Sequence, residues 1–241
     1  MSTPTRWSDL RAHTAARVAL GRVGNGLPTA AHLDFQEAHA RARDAVHSAL
    51  DIPALQAALD LPSLVVASAA PDRRTYLLRP DLGRRLRETD LPAAPDAFVF
   101  VVADGLCASG VQAEAPALIA AAAPMLRKAG LALGPVVIAS QARVALGDAI
   151  GEAMQARFVA VLIGERPGLT ALDSMGLYLT HAPRRGRTDA ERNCISNIRR
   201  GGLGTQEAAA KLLWLTGAAQ RLGATGVALK DEQPEAPRLP G

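Results

Sequence analysis

The chain has 241 residues, 49% of them hydrophobic and only 3% aromatic, so its core must be built mainly from alanine, valine, leucine and isoleucine. A formal charge of +4, from 27 basic and 23 acidic residues, is too small to indicate nucleic acid binding, and no basic run is interleaved with aromatic residues. There is no apolar run of roughly 18 residues, so we expect no membrane-spanning helix. Two cysteines are too few for a disulfide framework, and no secretory signal is visible, which together predict a cytoplasmic protein with reduced thiols.

Residues 1–60 are predicted to form a helical N-terminal arm. Ser8 or Asp9 would cap a first amphipathic helix, and a glycine-rich connection would end it. A second helix is predicted from Thr29 to about Leu50. Its buried stripe would include Leu33, Ala40 and Val46. The glycine-rich connection has no preceding strand and no Lys-Ser/Thr pair, so a plain turn is favoured over a phosphate-binding loop.

The segment 61–230 contains three repetitions of one unit, an apolar strand followed by a polar turn, with a helix after the first two. The strands are Phe98–Val102, Pro135–Ala139 and Phe158–Ile163. The helices would run over Ser109–Lys128 and, after the second strand, to Gln155. Continuous apolar strands alternating with helices predict an α/β fold, a Rossmann-like, mostly parallel sheet with helices on both faces. Residues 231–241, which are rich in proline, are predicted to be a loose C-terminal tail.

Shorter patterns complete this domain. Strands are predicted at Leu64–Ser68, at Tyr76–Leu78 as an edge strand, at Gly176–Thr180 and at Val227–Leu229, with a last helix over Thr205–Leu222. Residues 184–200 are polar and arginine-rich and are predicted to be a long loop.

Polar residues follow each of the three inner strands. Asp104 comes after the first, Arg143 after the second and Glu165 after the third. Because right-handed crossovers bring parallel strand ends to one edge, these side chains are expected to meet at a common rim, where open α/β sheets bind ligands. Two roles stay open for Asp104, which either hydrogen-bonds a polar ligand or caps the next helix.

Cys194 lies in the polar loop. A catalytic cysteine needs a base and an activating charge, and of the five histidines only His181 is near it in sequence. A ligand-contacting role for Cys194 is therefore favoured over that of a nucleophile. Cys107 is predicted to be a small buried residue.

The arginines of this loop are predicted to contact a phosphate or an acidic partner surface, in preference to forming a solvated loop with local ion pairs. They are Arg184, Arg185, Arg187, Arg192, Arg199 and Arg200. The other four histidines lie on the arm without zinc-like partners, so no metal site is predicted.

Several motifs in a fixed order resemble the small subunit (light chain) of ethanolamine ammonia-lyase. They are Arg79–Leu86 (RPDLGRRL), Val102–Leu106 (VADGL), Gly164–Gly168 (GERPG) and Thr188–Ile198 (TDAERNCISNI), with further likeness in the arm at His39–Val46 (HARARDAV). The resemblance extends from about Asp9 to Leu222.

The resemblance implies a Rossmann-like domain that binds adenosylcobalamin and assembles with a large subunit, which carries the substrate site for converting ethanolamine to acetaldehyde and ammonia. It places the cobalamin contacts on Val144, Glu165 and Cys194, and assigns no catalytic residue to this chain. The sequence has no D-x-H-x-x-G motif, so no histidine is expected to replace the cofactor's own base. Location inside a bacterial microcompartment is in doubt, since longer members carry an N-terminal extension that this chain lacks.

Two other readings stay open. One is a stand-alone α/β enzyme using Asp104, Glu165 and Cys194, and the other is a pure assembly module that docks through the arginine loop.

Overall fold

A computed structural model describes residues 7–14 and 16–233. Most of the predicted tail, 234–241, lies outside the described residues. The strands are β1 (Ser63–Ala67), β2 (Phe98–Ala103), β3 (Val136–Ser140), β4 (Phe158–Gly164), β5 (Met175–His181) and β6 (Asn193–Ile198). The α-helices are α1 (Thr29–Val46), α2 (Ile52–Ala57), α3 (Arg73–Leu78), α4 (Ala108–Lys128), α5 (Leu146–Met154) and α6 (Thr205–Leu222).

All six strands form one sheet in the order β1-β3-β2-β4-β5-β6. The first four in this order run parallel, and β5 and β6 are added antiparallel at the far edge. The predicted α/β fold with a mostly parallel sheet is therefore confirmed. The three inner strands β2, β3 and β4 point the same way, as the strand–helix repetition predicted.

Helices cover both faces of the sheet because successive side chains of a strand point to opposite sides. Phe98 and Phe100 of β2 pack with α4 and α6, whereas Val99 and Val101 pack with α5. All four side chains are fully buried. Burying a side chain of this kind stabilises the fold by about 1.5–3 kcal/mol, which explains why the inner strands could be recognised from their apolar runs alone.

The chain changes faces at neighbouring strands. β2 is followed by α4 on one face, and β3 is followed by α5 on the other face. Because β2 and β3 are adjacent, their helices leave a crevice outside the carboxyl ends of the strands, which is where open α/β sheets place ligands.

The N-terminal arm differs from its prediction. The first helix is only a short 3-10 helix, Trp7–Ala12. The guanidinium of Arg11, within this helix, donates to the carbonyls of Val18 and Ala19. Helix α1 begins at Thr29 as predicted, but it ends at Val46. The predicted stripe is wrong, because Leu33 is 56% exposed and Ala38 is the buried residue of α1. No described element covers the side of α1 that carries Leu33, so the apolar side chains on that side have nothing to pack against.

Three short predictions in the sheet domain were wrong. Tyr76 lies in α3 and not in an edge strand, because the carboxylate of Asp72 caps a helix by accepting from the N–H of Thr75 at 2.8 Å. The terminal strand at 227–229 is a 3-10 turn, Gly226–Ala228. The predicted loop 184–200 contains the 3-10 helix Asp189–Glu191 and the strand β6.

No helix in the described ranges is both long and apolar enough to cross a bilayer. Within the same ranges, no group of three or more His, Cys, Asp or Glu side chains is placed to hold a metal ion.

Candidate functional site

A recess of about 460 Å³ opens at the carboxyl ends of β2, β3 and β4. We call it the ledge recess; its lining residues are Tyr76, Leu106, Arg143, Val144, Ile163, Gly164, Glu165, Arg166 and Tyr178. Two of the three predicted cofactor contacts, Val144 and Glu165, are among them, as is Arg143. The strand ends therefore converge on one rim, as the sequence predicted.

Asp104 lies beneath the recess and does not line it. Its side chain is buried, and its carboxylate accepts from the backbone N–H groups of Gly105, Gln141 and Ala142 at 2.9, 2.8 and 3.0 Å. Burial raises the pKa of this carboxyl, and the three N–H donors act in the opposite direction. Asp104 has neither of the two roles that the sequence left open. Its carboxylate ties the end of β2 to the turn after β3, in which Gln141 adopts a left-handed φ of 53°.

Arg143 is held at the recess by Tyr76, a residue whose role the sequence did not reveal. The Tyr76 ring is buried and has two guanidinium groups over it, those of Arg73 at 4.7 Å and Arg143 at 4.3 Å from the ring centroid. Its hydroxyl donates to the carbonyl of Ala142 at 3.2 Å. Such cation–π contacts fix a guanidinium in place without using its N–H donors.

Among the described residues, the Nε of Arg143 is buried without a hydrogen-bond partner, and so is the Oε1 of Gln141. Buried polar atoms in folded proteins are nearly always paired. Of these two residues only Arg143 lines the ledge recess, so the wall of the recess contains one buried donor without a partner.

Glu165 joins the end of β4 to β6. Its carboxylate oxygens accept from the backbone N–H of Asn197 at 3.2 and 3.3 Å, and its own N–H donates to the carbonyl of Ser174 at 3.0 Å. Because a carboxylate offers about four lone-pair sites, Glu165 keeps acceptor capacity for a ligand in the ledge recess.

Cys194 is on β6 and not in a loop. It is paired with Tyr178 of β5, and directly opposite residues of an antiparallel pair present their side chains to the same face. The thiol and the phenol interact, and Tyr178 lines the ledge recess. Cys194, the third predicted contact, is therefore joined through Tyr178 to the recess that Val144 and Glu165 line.

The acid–base properties of this pair do not favour a nucleophile. Burial raises the pKa of the Cys194 thiol, and the nearby Glu165 raises it further while Tyr178 lowers it. Burial also raises the pKa of Tyr178 to about 12, so the phenol stays a protonated donor. His181 lies opposite Phe158, at the other end of β4 from Glu165, and cannot serve Cys194 as a base.

We expect Cys194 to be alkylated by iodoacetamide more slowly at pH 7 than a free thiol such as glutathione, because the raised pKa leaves less thiolate. The rate should rise with pH through a midpoint above the usual value of about 8.5. The Cys194→Ser variant, in which only the buried Cys107 remains, supplies the background rate. If Cys194 is alkylated faster than glutathione, the cysteine is activated, and the hypothesis of a stand-alone enzyme is supported instead.

The arginines of the predicted loop divide into structural and exposed members. Arg192 is buried and forms a bidentate ion pair with Asp148 of α5, at 2.7 and 2.8 Å. Arg187 pairs with Glu191, and Arg185 lies 3.4 Å from Glu152. The predicted contact role is therefore wrong for Arg192, whose role is to fasten the segment to α5.

The sequence of the whole chain has clear relatives. Residues 4–230 match the family model described as ethanolamine ammonia-lyase light chain (EutC). Proteins named ethanolamine ammonia-lyase small subunit from Xanthomonas campestris pv. campestris and Bradyrhizobium diazoefficiens are 52% and 53% identical, over 96% and 97% of this chain and 92% and 94% of their own lengths. One with the same name from Azotobacter vinelandii is 50% identical over 100% of this chain and 93% of its own. The resemblance noted in the sequence is thus confirmed, and the chain belongs to the ethanolamine ammonia-lyase light chain family as a lyase small subunit.

Proposed function

We propose that this chain supports the adenosylcobalamin of an ethanolamine ammonia-lyase, holding one edge of the corrin in the ledge recess and docking on a large subunit that carries the substrate site. The observation that supports this most directly is the meeting of Val144, Glu165 and the Tyr178–Cys194 pair at the carboxyl edge of the sheet. The reaction is the conversion of ethanolamine to acetaldehyde and ammonia.

The residues of the recess fit such a ligand. The rim of a corrin carries amide side chains, each with a carbonyl acceptor and an N–H donor. The guanidinium of Arg143 suits an amide oxygen, and the carboxylate of Glu165 suits an amide N–H. Val144, Leu106 and Ile163 supply the apolar part of the lining, as is usual in cofactor sites.

The size of the recess also supports a shared site. About 460 Å³ suits the edge of a large flat ligand and not the whole of it, so a second surface must cover the remainder. Bound adenosylcobalamin supplies the radical chemistry through its cobalt–carbon bond. The side chains of this subunit bind the rim, fix its orientation and exclude water from one side.

Replacing Glu165 with alanine in the complex with the large subunit is expected to weaken cobalamin retention roughly ten- to hundredfold, because one charge-assisted hydrogen bond of about 1.5–3 kcal/mol is lost. Retention is measured from corrin absorbance after gel filtration, and subunit association from the same elution. The matched control is Glu88→Ala, an exposed glutamate outside the recess. Loss of association with unchanged retention would contradict the assigned role.

The isolated chain is expected to show no turnover of ethanolamine with added adenosylcobalamin, since its recess presents no poised base or nucleophile. Acetaldehyde formation, followed by a coupled dehydrogenase, measures this against the reconstituted complex. Turnover by the chain alone would favour the stand-alone enzyme instead.

A further inference from the structure

A second recess, of about 400 Å³, lies beside the first turn of α5 and is rich in arginine. We call it the arginine recess; its lining residues are Arg84, Arg85, Leu86, Ala145, Asp148, Ala149, Arg185, Gly186 and Arg187. Arg84 and Arg85 line it from the segment after α3, far in sequence from Arg185 and Arg187 on the other wall. The fold thus brings together two arginine groups that the sequence keeps about a hundred residues apart.

Most charges around this recess are already paired. Asp148 is bound by Arg192, Glu152 lies beside Arg185, and Glu191 accepts from Arg187. Asp81, which is close enough to feel the charge of Arg85, is held by Arg79 at 2.8 and 2.9 Å. These pairs leave the recess without a spare carboxylate.

Arg84 and Arg85 are the exception. In the ranges that the structure describes, no carboxylate lies within 4.0 Å of either guanidinium. Two unpaired guanidinium groups at the mouth of a concave recess form a site for an oxyanion, and planar N–H pairs match a phosphate in particular.

The two recesses meet at consecutive residues, since Val144 lines the ledge recess and Ala145 lines the arginine recess. Adjacent Cα atoms are about 3.8 Å apart. The two recesses are therefore neighbours on the surface of this chain. The nucleotide tail of a cobalamin carries a phosphodiester, which is the anionic group on the cofactor's periphery.

We propose that Arg84 and Arg85 form a phosphate subsite that binds the phosphodiester of the cofactor's nucleotide tail. This inference rests on the proposed function, because it needs the corrin on the ledge. The same chemistry would also accept free inorganic phosphate, so the experiment separates the two sources.

The test compares cobalamin with cobinamide, which keeps the corrin but lacks the phosphate, ribose and base. Both are titrated into the complex with the large subunit, and Kd is read from the corrin spectrum. The Arg84→Ala/Arg85→Ala variant is expected to bind cobalamin about tenfold more weakly and cobinamide unchanged, since each exposed charge contact is worth modest energy. The matched control, Arg74→Ala/Arg87→Ala, removes the same charge from exposed positions outside the recess and should alter neither Kd.

Inorganic phosphate, compared with chloride at equal ionic strength, provides the second arm. It should compete with cobalamin and not with cobinamide. If phosphate binds but cobalamin and cobinamide bind the wild-type complex equally well, the recess takes free phosphate and the assignment to the cofactor is overturned. If the variant binds cobalamin normally, the subsite is disproved while the proposed function stands. A wild-type complex that binds neither corrin overturns the proposed function itself.

Discussion

Asp104→Ala is expected to lower the free energy of unfolding by about 3–6 kcal/mol, because three backbone N–H groups, two of them fully buried, lose their common acceptor at roughly 1–3 kcal/mol each. These donors belong to Gly105, Gln141 and Ala142. The loss should be visible in urea unfolding followed by circular dichroism. The exposed Asp90 provides a control, and Asp90→Ala should change stability by less than about 0.5 kcal/mol.

The same variant should also lose cobalamin retention. Asp104 fixes the turn after β3, and that turn carries Arg143 and Val144 into the ledge recess. Measuring retention at a temperature and urea concentration where the variant is still folded separates this effect from global unfolding. A variant of near-normal stability would show that water replaces the carboxylate, and the positioning role would then be wrong.

Arg192→Met is expected to cost about 3–5 kcal/mol of stability, the usual result of removing one member of a buried ion pair and leaving the other charge unpaired. The side chains of Arg192 and Asp148 are only 1% and 4% exposed. Equilibrium unfolding of the variant measures the loss, with the exposed Arg200→Met as the control.

The double variant Arg192→Met/Asp148→Leu tests the reason for that loss. An apolar pair leaves no buried charge, so the double variant should lose less than the sum of the two single variants. Strict additivity would show that the two side chains do not act as a pair. Because the pair fastens residues 185–192 to α5, the single variants should also disturb the wall of the arginine recess.

The sequence was most informative where side chains are buried on both faces. The runs Phe98–Val102 and Phe158–Ile163 are apolar at every position, which is typical of the strands of a parallel sheet covered on both faces. The common direction of the three inner strands then placed Arg143 and Glu165 on one edge. The resemblance to the family, and not the pattern, selected Val144 and Cys194.

The features that the sequence did not reveal are those in which a residue contacts partners far away along the chain. β6 has a mixed polar sequence in which Ile195 and Ile198 are the buried positions, and a register shift in its pairing with β5 breaks the simple alternation. The role of Tyr76 became clear only from the structure, in which the guanidinium groups of Arg73 and Arg143 both lie over its ring. For Asp104 the sequence left a ligand contact and a helix cap open, because two of the three N–H donors that it binds lie 37 and 38 positions away.

The hydrogen bond from Asn197 to Glu165 has a consequence for when the cofactor can load. The carboxylate of Glu165 is oriented by a residue 32 positions later in the chain. The proposed binding edge is therefore complete only after residue 197 has left the ribosome, so we expect cobalamin to load late in synthesis or after it.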